Sequence, residues 1–252
     1  MIIDLCRVAL TYQSPDGETQ ALRDISFSME EGEFVSIVGP SGCGKSTLLS
    51  VIAGLQAPTS GTVAVTGVSV TGPSLNIGLM PQRDHLFEWR TVRSNVRLGL
   101  QIRHMDDEAH LARVQQLLEQ YELADFADKR PSQLSGGMRQ RCALIRTLAT
   151  DPCILLLDEP FSALDYQTRL TVSADIHGII RREHKTALLV THDIAEAISL
   201  SDRIVVLSGR PAVIRSIHRL EELQGVPPLE RRDTAQFHTV FNTIWKELND
   251  DA

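Results

Sequence analysis

The chain has 252 residues, of which 42% are hydrophobic and 23% charged, and carries a net charge of −7. This is the composition of an ordinary soluble protein, long enough to bury a full core as one globular unit with subdomains. The acidic balance speaks against a nucleic-acid partner, because phosphate backbones are held by clustered Lys and Arg.

In chain order, the first thirty residues read as strands: an apolar-rich edge at Ile2 to Leu10, a turn at Ser14-Pro-Asp-Gly17, then alternation through Ile25, Phe27 and Met29. Phe34-Val-Ser-Ile-Val38 is a short buried strand. After it comes Gly39-Pro-Ser-Gly-Cys-Gly-Lys-Ser46, which fits G-x-x-x-x-G-K-[ST]. Glycines let the backbone N–H groups of such a loop converge on phosphate oxygens. Leu48, Leu49, Val51, Ile52 and Leu55 recur at helical spacing, so the loop presents a helix N-terminus to an anion. In that setting Lys45 reaches the β- and γ-phosphates of a nucleotide and the Ser46 hydroxyl ligates Mg²⁺. Gly39, Pro40, Ser41, Gly42, Cys43, Gly44 and Thr47 complete the expected ATP cradle. A glycine loop that merely turns a strand into a helix is the plain alternative.

A second short antiparallel set is expected at Thr62 to Thr66 and Asn76 to Met80, after a turn at Pro58-Thr-Ser-Gly61. From Thr91 to Thr150 the period is helical, with Leu111, Val114, Leu117, Leu118 and Tyr121 on one apolar face behind an Asp106 cap. Strand and helix then alternate: Cys153 to Leu157, Gln167 to Glu183, Thr186 to Val190, Asp193 to Leu200 and Arg203 to Leu207. This order implies a mainly parallel sheet covered by helices. After Gly209-Arg-Pro211 come a shorter strand, a Pro227-Pro228 break and an amphipathic helix. That helix carries Phe237, Val240, Phe241, Ile244, Trp245 and Leu248 on one face, expected to pack on its own domain, with a regulatory or partner role as the alternative. The fold class is thus α/β: a P-loop core with a mainly parallel sheet, an antiparallel β subdomain and a helical subdomain. The expected division is 1–215, with the helical part about 91–150, and an extension at 216–252.

Ile154-Leu-Leu-Leu-Asp158-Glu159 ends an apolar strand in two acids at the carboxyl edge of the sheet, where open α/β folds bind ligands. Asp158 suits the Mg²⁺ shell and Glu159 the orientation of an attacking water; an acid cluster that only starts a helix is the alternative. His192 falls at the same edge, positioned to donate to a γ-phosphate or to serve only as a helix-entry residue. The four cysteines, Cys6, Cys43, Cys142 and Cys153, lack C-x-x-C spacing, which points away from zinc sites and disulfides and toward a reducing compartment. Cys43, inside the phosphate loop near a helix N-terminus, is expected either to have a lowered pKa and act as an oxidation switch or to point away as a variable loop residue. The start lacks the basic and apolar regions of a signal peptide, and nowhere are there ~20 consecutive apolar residues, so any membrane role is expected to come through a partner chain.

Taken in order, Tyr12, Gly39 to Ser46, Gln82, Leu134-Ser-Gly-Gly-Met138, Asp158-Glu159, Ser162-Ala-Leu-Asp165 and His192 resemble the motifs of ABC transporter nucleotide-binding subunits. They correspond to the adenine-stacking loop, Walker A, Q-loop, signature, Walker B, D-loop and switch histidine. The segments Arg130 to Arg141 and Phe161 to Arg169, with the tail around Arg231-Arg232, are similar to the nitrate, sulfonate and taurine importer branch. Met138 stands where the wider superfamily has Gln, and Glu88 precedes Trp89 where the branch often has Pro.

The resemblance implies an ATPase with ATP and Mg²⁺ as cofactors. It assigns Tyr12 to adenine, Gln82 to the metal and the attacking water, and Ser135, Gly136 and Gly137 to the ATP of a second copy in a head-to-tail homodimer. It further implies permease subunits in the membrane, contacted through Arg83 to Arg90, with Phe87 and Trp89 as candidates for that contact or, as the alternative, packed inside the helical lobe, and an extracytoplasmic solute-binding protein as an indirect partner. The expected place is the cytoplasmic face of the cell membrane, peripheral, with uptake of a small solute such as nitrate, a sulfonate or taurine as the task. A soluble ATPase of the same superfamily in DNA maintenance or translation is the first competing reading. It usually needs a coiled-coil insertion or two fused cassettes, and neither is present. A small-molecule kinase would leave Leu134 to Met138 and His192 without a purpose.

Overall fold

The computed structural model describes residues 1–15 and 17–249; Asp16, in the first expected turn, lies outside the described residues. Two sheets share the work. The antiparallel sheet has the order β2-β1-β4-β5, from β1 (Ile3–Ser14), β2 (Gly17–Met29), β4 (Ser60–Val65) and β5 (Val68–Ser69). The larger sheet runs β10-β9-β3-β8-β7-β6. Its strands are β3 (Phe34–Val38), β6 (Ile77–Met80), β7 (Ile154–Asp158), β8 (Thr186–Thr191), β9 (Arg203–Leu207) and β10 (Ile214–Arg219). All its neighbours pair in parallel except the antiparallel β9–β10 edge.

The central strands are apolar on both faces because helices cover both sides; β3 is buried at every position. One core lies between the two sheets and around α1 (Lys45–Ile52), built from Leu5, Ile25, Leu49, Leu156 and Leu188 among others. A second joins the sheet to the helical lobe of α2 (Val92–Val96), α3 (Leu98–Ile102), α4 (Glu108–Gln120) and α5 (Gly136–Leu148), and to α6 (Tyr166–Arg182). A third forms where α7 (Ile194–Leu200) and α9 (Ala235–Asn249) meet, beyond the short α8 (Pro228–Arg231).

Three expectations change. Asn76 to Met80 is not part of an antiparallel set: β6 pairs in parallel with β7, Ile77 opposite Ile154, as the edge of the main sheet. Its alternating burial suits either sheet, so the pattern alone did not select the partner. The cap of α4 is Asp107, whose side chain accepts from the His110 N–H at 3.0 Å, while Asp106 pairs with Arg97 at 3.3 Å. Two adjacent acids make this one-residue ambiguity inevitable. Leu55 lies beyond the end of α1 and is exposed, because Gly54, at φ +72°, ends the helix before it.

Candidate active site

The carboxyl ends of β3, β7 and β8 open on one edge of the main sheet, and each delivers a predicted group there. From β3 the chain enters the loop Gly39 to Gly44, in which Gly42 and Gly44 have φ of +72° and +127°, a path that side chains resist. A Cβ on Gly44 would also lie 3.0 Å from the Ala21 carbonyl, so the loop hugs β2. The N-terminus of α1 has no side-chain cap and no acid in its first turn, leaving its N–H groups and dipole available to an anion. Lys45 is 5% exposed and donates from Nζ to the Gly39 and Pro40 carbonyls, both at 2.8 Å, so the loop holds its own cation in position.

From β7 come the two acids. Asp158 Oδ1 accepts from the Ser46 hydroxyl at 2.9 Å, which closes the pair expected to hold a metal. Burial pushes the Asp158 carboxyl up, Ser46 opposes this and the neighbouring Glu159 charge adds to it. A cation at this pair would relieve that penalty. Glu159 adopts φ +44°, uncommon for a residue with a Cβ, and its N–H is tied to the Val190 carbonyl at 2.9 Å. This turns the carboxylate toward the end of β8. His192 Nδ1 then lies 3.0 Å from Glu159 Oε2, and Gln82 Nε2 donates to the same oxygen at 3.4 Å.

Lys45, Ser46, Gln82 and Glu159 line a cleft of about 460 Å³ that also includes Tyr12, Ser41, Thr47 and Arg210, and Asp158 and His192 adjoin it through their bonds to Ser46 and Glu159. The Tyr12 hydroxyl donates to Gln56 Oε1 at 3.0 Å and lies 3.3 Å from Thr47 Oγ1, so its ring stands as an exposed wall of the cleft. Unpaired N–H groups, a fastened lysine and a hydroxyl–carboxylate pair fit a magnesium-bound nucleoside triphosphate in both charge and size.

Cys43 departs from the switch expectation. Its side chain is 2% exposed and burial pushes the thiol up, outweighing the nearby Lys45 charge. A Cβ on Gly39 would meet Cys43 Sγ at 3.0 Å and the Leu207 carbonyl at 3.1 Å, so the thiol is a plug beneath the loop, and only the Cys43 backbone can face a ligand. The sequence reading missed Arg210, whose Nε donates to the Gly42 carbonyl at 2.6 Å. The available signal was its place just after β9, which pairs in parallel with β3 and so ends at the same sheet edge as the phosphate loop.

Ser135, Gly136 and Gly137 are not brought to this cleft. They line a separate depression with Leu164 and Asp165. There Ser135 caps α5, accepting from the Met138 N–H at 3.3 Å, and Gly137 is pressed against α6, where a Cβ would fall 2.7 Å from Val172 Cγ2. The two depressions are linked by charge. Arg139 of α5 binds Asp84 at 2.7 and 3.0 Å and Glu88 at 2.8 Å, while Arg146 donates to the Asp84 and His85 carbonyls, both at 2.7 Å. Burial opposes ionisation of Asp84, but the Arg139 bonds hold its carboxyl below the usual range. The segment that follows Gln82 is thereby fastened to the signature helix. In that segment Trp89 is 71% exposed and meets the Phe87 ring at a tilt, 4.7 Å between centroids, so Trp89 does not pack inside the helical lobe.

Comparison with known proteins gives one answer. Residues 22–162 match the family model described as ABC transporter. YtlC of Bacillus subtilis (strain 168), an ABC transporter ATP-binding protein, is 49% identical over 243 residues, 96% of this chain and 94% of the relative. The nitrate import ATP-binding protein NrtD of Synechocystis sp. is 44% identical over 214 residues (85% and 79%), and the taurine import ATP-binding protein TauB of Ruegeria pomeroyi 41% over 214 residues (84% and 80%). Among solved structures, the dimeric post-hydrolysis state of the ATP-binding cassette MJ0796 bound to ADP and Pi superimposes with a TM-score of 0.73 at 33% identity, covering 86% of this chain and 98% of that one. The chain belongs to the ABC transporter family, as an ATP-binding, ATP-hydrolysing subunit.

Proposed function

We propose that two copies of this chain close head to tail around ATP, and that closing and reopening drive uptake of a small solute through permease subunits in the membrane. The observation that carries the reading is the separation of the two ATP-facing motifs. The phosphate loop and the signature glycines occupy different depressions of one copy, so a ligand that needs both must sit between copies.

Within one such site, Lys45, already fastened to the loop, presents its charge to the β- and γ-phosphates, and the α1 N–H groups cradle them. Tyr12 receives the adenine. Ser46 and Asp158, with Gln82, would hold Mg²⁺, which would supply charge neutralisation for the phosphates. Glu159 orients the attacking water and accepts its proton at Oε2 as the oxygen bonds to the γ-phosphorus and the bond from that phosphorus to the bridging oxygen breaks, leaving ADP and phosphate. His192, beside the same oxygen, fixes the Glu159 rotamer and donates to the γ-phosphate. Ser135 to Gly137 of the second copy supply a further helix N-terminus, whose hold weakens when the γ-phosphate leaves. The Arg139 and Arg146 bonds carry that change to Arg83–Arg90, where exposed Trp89 is the contact offered to the permease.

Among the described residues no helix is long and apolar enough to cross a membrane, in keeping with attachment at the cytoplasmic face through the permease. The names of the relatives favour a small anion or zwitterion, such as nitrate or taurine, delivered by an extracytoplasmic binding protein. The reading is tested by Glu159→Gln: ATP is still bound and phosphate release falls by about 10³-fold or more, a loss of about 4 kcal/mol in barrier lowering. Near-normal release would remove Glu159 from this role.

A further inference from the structure

A second depression of about 560 Å³ shares Ser41 and Glu159 with the cleft. Ser41, Glu159 and His192 form one wall, and Trp245, Leu248 and Asn249 of α9 form the other. The C-terminal helix therefore reaches the rim of the site, although it begins more than forty residues beyond the last predicted site residue, His192.

The helix is fixed there from two directions. Phe237, Val240 and Ile244 are buried against α7, which starts two residues after His192. On the other flank Glu247 accepts from the Ser216 hydroxyl at 2.6 Å and lies 3.1 Å from His218 Nε2, both on β10. Buried Arg231 locks the approach to the helix by donating to the Ile198 and Ser201 carbonyls at 3.1 and 2.6 Å. The apolar stripe nevertheless continues past what one copy covers: Trp245 stacks on Phe241 at 6.2 Å with nearly parallel rings and stays 55% exposed. A large apolar ring held rigidly in water beside catalytic groups is a surface built to be covered.

We propose that Trp245 and Leu248 form an apolar lip that is covered by a second copy of this chain when ATP closes the dimer. This rests on the head-to-tail reading above. Ser41, Glu159 and His192 are the groups that face the second copy's signature in that reading, and the lip borders the same depression that they line. The lip extends the interface beyond the nucleotide and screens the γ-phosphate end from water while ATP is present. Helix α9 is thus part of the clamp.

The chain has two tryptophans, so Trp89→Phe leaves Trp245 as the only indole reporter. In the Trp89→Phe, Glu159→Gln double variant, magnesium-ATP is expected to shift Trp245 emission to the blue and to reduce its quenching by acrylamide, in step with dimer formation measured by sedimentation. Adding Trp245→Ala to Glu159→Gln is expected to weaken the dimer roughly tenfold, as truncation of an interface tryptophan does, with ATP affinity of the monomer unchanged. A dimer that forms while quenching of Trp245 stays the same, or one indifferent to Trp245→Ala, would overturn the lip and leave the dimer reading standing. Protection of Trp245 that depends on the membrane subunit and not on ATP would assign the surface to that partner and overturn the proposal. Failure of Glu159→Gln to dimerise at all would overturn the dimer reading and the lip together.

Discussion

The phosphate-loop half of the site and the signature half use the same device, a glycine-rich helix N-terminus, and finish it to different degrees. Around the loop the chain supplies its own counter-charges: Lys45 is fastened to two carbonyls, Ser46 to Asp158, and Glu159 to both Gln82 and His192. Around Ser135 the hydroxyl caps its own helix, and the cation that lines the depression, Arg141, is paired with Glu122 at 2.9 Å. The first half is organised to select and hold a triphosphate. The second is organised to recognise one that is already held. An ATP-driven clamp needs that inequality, because two self-sufficient halves would each fill in the monomer and leave nothing to close on.

The inequality can be broken at its strong end. Lys45→Ala should weaken ATP binding to the single copy by about 100-fold, as expected on losing a charge-assisted phosphate contact of roughly 3 kcal/mol. Titration with a fluorescent ATP analogue measures it, and an affinity within a few-fold of the parent would show that Lys45 is a structural cation only.

Most of this site was legible because its parts arise from local rules. The phosphate loop, the acids ending β7 and the position of His192 each follow from a short stretch, and parallel strands put their carboxyl ends at one edge. The unread parts depend on distant chain. Arg210 is brought to Gly42 by the pairing of β9 with β3, and the parallel pairing of β6 with β7 joins segments more than seventy residues apart. Between the two alternatives for Cys43 the sequence could not choose, because a helix N-terminus lowers a thiol pKa only when the sulfur faces it, whereas here the sulfur turns inward to fill space beneath Gly39. The amphipathic pattern of α9 gave its buried face correctly, but periodicity does not say where a stripe outruns its cover, and Trp245 is that place.

A smaller effect sharpens the comparison at the rim of the loop. Arg210→Ala should weaken ATP binding to the monomer by about three- to tenfold, the size of a partly exposed charge contact. Nucleotide affinity independent of this change would confine Arg210 to bracing the Gly42 carbonyl.

The smallest effect concerns stability near the switch region. Buried Glu196 of α7 has its carboxyl pushed up to about 7 by burial, while burial with help from Arg181 and Arg231 pushes His177 down to about 4. As pH rises from 4.5 to 7, unfolded chains lose the Glu196 proton that folded chains keep, so that contribution to stability is lost. Over pH 4 to 6.5 the unfolded chain binds a proton at His177 that the folded chain refuses, so stability from that group is gained as pH rises. The two slopes oppose each other. Glu196→Gln should uncover the rising His177 slope in urea denaturation between pH 4.5 and 6.5, and should raise stability at pH 8 by on the order of 2 kcal/mol. An unchanged pH profile would show that Glu196 titrates as an ordinary surface acid.

The central claim, that ATP joins the loop of one copy to the signature of another, is tested most directly by Ser135→Arg in a Glu159→Gln background, followed by sedimentation with magnesium-ATP. The account predicts that Glu159→Gln alone doubles the mass of the 27.9 kDa chain, and that adding Ser135→Arg leaves it monomeric while each copy still binds ATP. A full dimer despite Ser135→Arg, or loss of ATP from the monomer, would contradict it.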